Sequence, residues 1–147
     1  MKPNSDLPAV LEKATGRAPD PKAIDAMAQT YRDLLGFLPP RVNDRFNVTG
    51  ILDPRTLELQ EAIRDQVMET DVFDAKTVQL IVFAMLMLDL NDAALTHAIA
   101  ARRCGATWEE LQTAVSLCFL FRGLPAANRG ASVLADAMRR EQPVSAA

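Results

Sequence analysis

Metal-binding and redox side chains are scarce in this chain. It carries one histidine and two cysteines, whereas a structural zinc site takes four such ligands at short, fixed spacings. Cys104 and Cys118 are too far apart to form a Cys-x-x-Cys pair, so neither a metal site nor a dithiol is expected. Glycine-rich phosphate loops, serine-hydrolase residue orders and basic patches interleaved with aromatics are also missing. Aromatics make up 5% of residues and the net charge is -3, which argues against the basic face that nucleic acid requires. No apolar run approaches the roughly 20 residues that cross a bilayer, so no membrane partner is expected. The residues up to Asp6 are polar and no apolar leader core follows them. The expected compartment is therefore the reducing cytoplasm.

A chain of 147 residues, 49% hydrophobic and 24% charged, is expected to form one globular domain over residues 1–147. Its organising stretch is 72–128, centred on the run Leu80-Ile81-Val82-Phe83-Ala84-Met85-Leu86-Met87-Leu88. Ala, Leu and Met favour helix, and the run lacks the β-branched density and Gly/Pro bounds of a buried strand. With no polar face, it reads as a central helix covered on all sides.

The rest of the pattern is helical too. Leu7, Val10, Leu11 and Ala14 mark a short helix, broken by Gly16 and the Pro19-Asp20-Pro21 run. Asp20 caps the next helix, with Pro21 in its first turn. Ile24, Met27, Ala28, Tyr31, Leu34 and Leu35 form its stripe, and Gly36 ends it. Residues 41–52 fit either a short helix or a loop, with a turn at Thr49-Gly50. Asp53-Pro54 repeats the cap-plus-proline start. Leu59, Ile63 and Val67 give the helix over 57–69 a narrow apolar stripe opposite a charged face.

Asp74 caps the central helix, and Asn91 or Asp92 opens the next, which holds His97 and stops at Gly105. That helix is dense in alanine, and small side chains let helices approach closely. Thr107-Trp108-Glu109-Glu110 has the form of a capping box, and Trp108, Leu111, Val115 and Cys118 line one side of the helix it starts. After Gly123-Leu124-Pro125, a last helix has Ala127, Ala131, Leu134 and Met138 in register. The expectation is all-α: a compact bundle of six or seven helices. Several of them are apolar on more than one side, and oligomerisation would cover the excess.

Within this pattern, Asp74-Ala75-Lys76-Thr77 leads into the apolar helix, and Ala101 follows His97. Then come Gly105-Ala106-Thr107, Glu109-Glu110-Leu111 and Phe121-Arg122-Gly123-Leu124-Pro125-Ala126-Ala127-Asn128. In these residues, over 74–138, and in Leu34-Leu35-Gly36-Phe37 with Pro39, the chain resembles the carboxymuconolactone decarboxylase / alkylhydroperoxidase D-like family. The resemblance implies an alkylhydroperoxidase D-like fold and a homotrimer or homohexamer, with its site between helices near subunit contacts. One branch of that family is peroxidase-like and uses a Cys-x-x-Cys pair shortly before the matching His. Here the residues are Leu90-Asn91-Asp92-Ala93-Ala94, and a dithiol mechanism cannot run without thiolates.

The decarboxylase branch releases carbon dioxide from a γ-carboxy lactone without metal or organic cofactor. The conjugated lactone accepts the electron pair itself. The protein holds the carboxylates, stabilises the dienolate and delivers a proton to carbon. The chain departs from that branch in having no Trp before the central helix, Phe121 in place of Tyr, and Arg122 where a small residue is usual.

On this resemblance His97 is the general acid/base, since an imidazole with an unperturbed pKa of about 6.5 suits proton delivery. The plainer reading is a histidine bonded to a carbonyl. Arg122 offers a bidentate fork to a substrate carboxylate, or is simply a cation at a helix C-terminus. Asn128 donates to a developing lactone oxyanion, or ties the turn. Asp89 or Asp92 orients His97, or each caps a helix. The expected partners are a small anionic organic substrate and further copies of the chain, with no cofactor. The leading expectation is a lyase. A non-catalytic oligomeric ligand-binding or scaffold protein is the alternative, and a third is an isomerase or dehydratase that uses the same ring.

Overall fold

Proline and aspartate start the first helices of this protein, and the reason is local. The computed structural model describes residues 6–141, and among these it has eight helices and no strand. The chain divides into two units, Met1–Glu69 and Thr70–Ala147. The first holds α1 (Leu7–Thr15), α2 (Pro21–Leu35), α3 (Pro40–Leu52) and α4 (Pro54–Met68). Each has a proline in its first two positions, where a missing N–H leaves no intrahelical bond unmade. Asp20 and Asp53 accept from the backbone N–H groups of Lys22 and Thr56 at 3.0 and 3.1 Å. Gly16 and Gly36 close α1 and α2 in the left-handed conformation, at φ 70° and 81°.

Residues 41–52 are helical, and α3 runs straight through Thr49-Gly50. Phe46 and Ile51 supply its buried side. Gly50 makes no turn but faces Leu57, whose Cδ2 would lie 3.4 Å from a Cβ placed there.

On α4 the expected stripe faces the wrong way. Leu59, Ile63 and Val67 are all exposed, while Leu57 and Glu61 are buried. Glu61 accepts from the Arg45 guanidinium and, at 3.3 Å, from the Tyr31 hydroxyl. The Arg64 guanidinium lies 4.1 Å above the Tyr31 ring. A carboxylate is tolerated inside when a cation and a hydrogen bond meet it there. Hydropathy alone therefore picks the opposite side of this helix.

The second unit holds α5 (Ala75–Leu88), α6 (Ala94–Arg103), α7 (Trp108–Arg122) and α8 (Leu124–Glu141). Asp74 caps α5 by accepting from Thr77 N–H at 2.7 Å. The capping box of α7 is complete: Glu110 N–H donates to Thr107 Oγ1 at 3.0 Å, and Thr107 N–H to Glu110 Oε2 at 2.8 Å. Both α6 and α7 pack against α5 and α8. Phe83 and Met87 meet Leu111, Val115 and Cys118 in the core, with Ala94, Ala98 and Ala101 completely buried beside them.

Two expectations are corrected in this unit. The central helix is not covered on all sides: it turns Val78, Phe83 and Met87 inward, while Ile81, Leu88 and above all Met85 (62%) stay exposed. The register of α8 is also displaced. Its buried face is Ala126, Gly130, Val133, Leu134 and Ala137, with Ala131 and Met138 outside. Gly130 sets that face, because a Cβ there would stand 2.4 and 2.6 Å from the two methyls of Val115. The helices approach so closely only because the side chain is missing.

Gly130→Ala should therefore destabilise the protein. A gain of about 1 kcal/mol in helix propensity is outweighed by overpacking worth roughly 1–3 kcal/mol. A lower urea midpoint at unchanged slope is the expected result, with Val115→Ala restoring part of the loss in the double variant.

Candidate functional site

His97 on α6 meets the side chain of Gln79 on α5, and the elements on either side of that bond fix where it forms. At the start of α5, Lys76 Nζ donates to Glu110 Oε1 at 2.8 Å, so the first turns of α5 and α7 are braced together. One turn further along α5 stands Gln79, a buried amide between Val78 and Leu80.

The chain then reverses between α5 and α6 through Leu90, which takes a positive φ of 53°. Asn91 Oδ1 accepts from Ala93 N–H at 2.9 Å. That bond closes a turn one step ahead of the helix, and α6 itself starts behind Ala93 with no side-chain cap. Neither Asn91 nor Asp92 is the cap that the sequence suggests.

His97 lies in the first turn and a half of α6 and is half-buried, with the completely buried Ala94, Ala98 and Ala101 on the same helix. Its Nδ1 is 2.8 Å from Gln79 Oε1. This bond joins α5 to α6. It gives the ring a fixed seat while part of it still meets solvent.

Arg122 is the last residue of α7 and is exposed, a favourable place for a cation against the helix dipole. Asn128 is also exposed and lies in the second turn of α8, not at its start. Its backbone carbonyl accepts from Ser132 Oγ at 3.3 Å. Neither residue takes part in the bond at His97. The arginine tied to the approach to α6 is Arg129, which pairs with Asp92. The Nε of Arg129 is buried without a hydrogen-bond partner among the described residues. Asp89 accepts from Asn91 Nδ2 at 3.3 Å.

The thiols are unremarkable as nucleophiles. Burial pushes Cys118 up, and its Sγ–H donates to the Ala84 carbonyl at 3.4 Å. Burial also pushes Cys104 up, against a smaller lowering by Arg103. Reactive cysteines are shifted the other way. Among the described residues no group of three or more His, Cys, Asp or Glu side chains is placed to hold a metal ion. No helix among them is long and apolar enough to cross a membrane.

The chain matches no known family model, no curated protein and no solved structure. Its chemistry must be argued from its own side chains. What they offer is a half-buried imidazole anchored by a neutral amide. Sequence reasoning singled out His97 but not its bond to Gln79. The available signal was an amide one position before a long apolar run, where a polar side chain needs a partner.

The brace at the start of α5 makes stability depend on acid. The Lys76 ammonium, then the Thr107 N–H, holds the Glu110 carboxyl below its ordinary range. The Thr77 N–H does the same for Asp74. A carboxyl lowered in the folded state contributes stability that is present above its unfolded pKa and lost as pH falls through the folded one. The melting temperature is therefore expected to fall as pH drops below about 4, and Glu110→Gln should flatten that decline. An equally steep decline in the variant would count against the brace.

Proposed function

We propose that this chain is a cofactor-independent lyase of the carboxymuconolactone decarboxylase type. In this reading His97 delivers the proton that replaces carbon dioxide on a small carboxylated lactone or related organic acid. The observation that carries it is the seat of His97, half-buried on α6 and bonded to the buried amide of Gln79 on the neighbouring helix. A ring held this way keeps a constant geometry towards a bound molecule and still exchanges protons with solvent. When the carbon–carboxylate bond breaks, the electron pair moves into the conjugated lactone, and the proton from His97 then quenches the dienolate at carbon. No metal or organic cofactor is part of this reading. Arg122 is its carboxylate clamp, a guanidinium fork at the exposed end of α7. Asn128 is the donor to the lactone oxygen, and the setting is the cytoplasm.

The working form in this reading is a homotrimer or homohexamer. Exposed apolar side chains support self-association: Leu120 at 70% and Phe121 at 86%, with Met85, Leu117 and Leu124 also uncovered. A monomer seldom leaves so much apolar surface in water. A non-catalytic oligomeric ligand-binding or scaffold protein is the second reading. It is favoured by the exposure of Arg122 and Asn128 and by their absence from the bond at His97.

His97→Gln is expected to reduce carbon dioxide release from carboxylated lactones by about 100-fold or more, the usual loss of a general acid. Undiminished turnover would rule the ring out, and a wild-type protein that releases none would favour the scaffold. Light scattering should give three or six times the 16.1 kDa chain mass, falling towards one chain in Phe121→Asp. A monomeric wild type would sink the oligomer.

A further inference from the structure

We propose that Gln79 is the positioning residue of His97, its buried amide oxygen holding the ring as the Nδ1–H tautomer and so placing the basic lone pair on Nε2. The inference rests on the proton-moving role of His97 only for what Nε2 then does, because the tautomer itself follows from packing. Gln79 is 3% exposed and sits on a helix that packs directly against α6. Its Oε1 lies 2.8 Å from Nδ1.

A carbonyl oxygen only accepts, so Nδ1 must carry the proton for this bond to form. A neutral imidazole has one N–H, and the acceptor is then Nε2. An amide so deep that went without its bond would bear its full desolvation cost, so the packing of α5 on α6 keeps the pair made.

The orientation of the amide also decides what happens when the ring takes a proton. With the oxygen towards Nδ1, the same bond serves the neutral ring and the cation, since both carry Nδ1–H. With the amide nitrogen towards Nδ1, the bond would need an unprotonated Nδ1, and protonation would set two donors face to face. Only the first arrangement lets His97 bind a proton at Nε2 and hand it on with its anchor intact. In that transfer the Nε2–H bond breaks, its electron pair returns to Nε2, and the Nδ1–H bond to Gln79 is untouched.

The chain has a single histidine, so the ring nitrogens give one set of signals in long-range nitrogen-15/proton NMR spectra. With the ring neutral, the wild-type protein is expected to favour the Nδ1–H form, its tautomer ratio moved at least about fivefold from that of a free imidazole side chain, the bias that an otherwise unmet buried acceptor sustains. Gln79→Met keeps the size and removes the acceptor, and should shift the ring to the Nε2–H form that a free imidazole side chain prefers. Gln79→Leu also removes the acceptor and should shift the ring the same way. Circular dichroism and thermal melting establish that each variant folds.

A predominant Nε2–H form in the wild type overturns the proposal, and so does an unchanged tautomer in folded Gln79→Met. If Gln79→Met does not fold, the wild type and Gln79→Leu decide, since Nε2–H in the wild type, or an unchanged tautomer in folded Gln79→Leu, overturns it. A failed lyase assay leaves the tautomer result standing, and a wrong tautomer leaves the His97→Gln assay standing.

Discussion

An amide on one helix and an imidazole on the next can meet at 2.8 Å only if the two backbones run close together. The alanine face of α6 permits that closeness. Ala94, Ala98 and Ala101 are completely buried, and side chains of that size cost almost no rotamer freedom and allow helices to approach closely. Larger residues at these places would push α6 away from α5 and leave Gln79 and His97 each buried in part without the other. The packing that stabilises the unit and the bond that orients its one histidine are thus the same constraint. Gly130 repeats the device between α7 and α8, where the missing side chain makes room for Val115.

Where a side chain caps a helix its start was legible in the sequence, because the bond is made within two or three residues; α6, which has no such cap, is the exception. Asp20, Asp53, Asp74 and the Thr107/Glu110 pair all accept or exchange the bonds that their spacing suggested. The faces were less legible, because a face depends on what another helix presents. On α4 the apolar residues Leu59, Ile63 and Val67 turn outwards, since Arg45 and Tyr31 make an inward place for Glu61. On α8 a glycine holds the closest contact, and glycine carries no weight in an apolar pattern. On α5 an unbroken apolar run gives no direction at all, so its sides are set by α6 and α7.

For the candidate site the division is the same. His97 stood out as the single imidazole of the chain, a property of composition. Gln79 did not stand out, because its importance lies in a contact made across eighteen positions of sequence. Arg122 drew attention by its place beside a turn, yet that place is exposed. Arg129, unassigned in the sequence, is the residue that ties α8 to the loop before α6 through Asp92.

Position 79 holds an amide and not a carboxylate, and the difference would matter to the anionic substrate proposed above. A carboxylate would accept the same Nδ1–H bond but add a negative charge beside the ring, like against like for an incoming carboxylate. It would also offer the ring proton a second place to go. The amide supplies the acceptor, adds no charge and cannot take the proton. Asp92, the acid at the approach to α6, is matched by Arg129, so it too opposes an anion less than a lone carboxylate would. A ring fixed in orientation and bonded to an uncharged amide is what the proposed delivery of a proton to a carbanion asks of a protein.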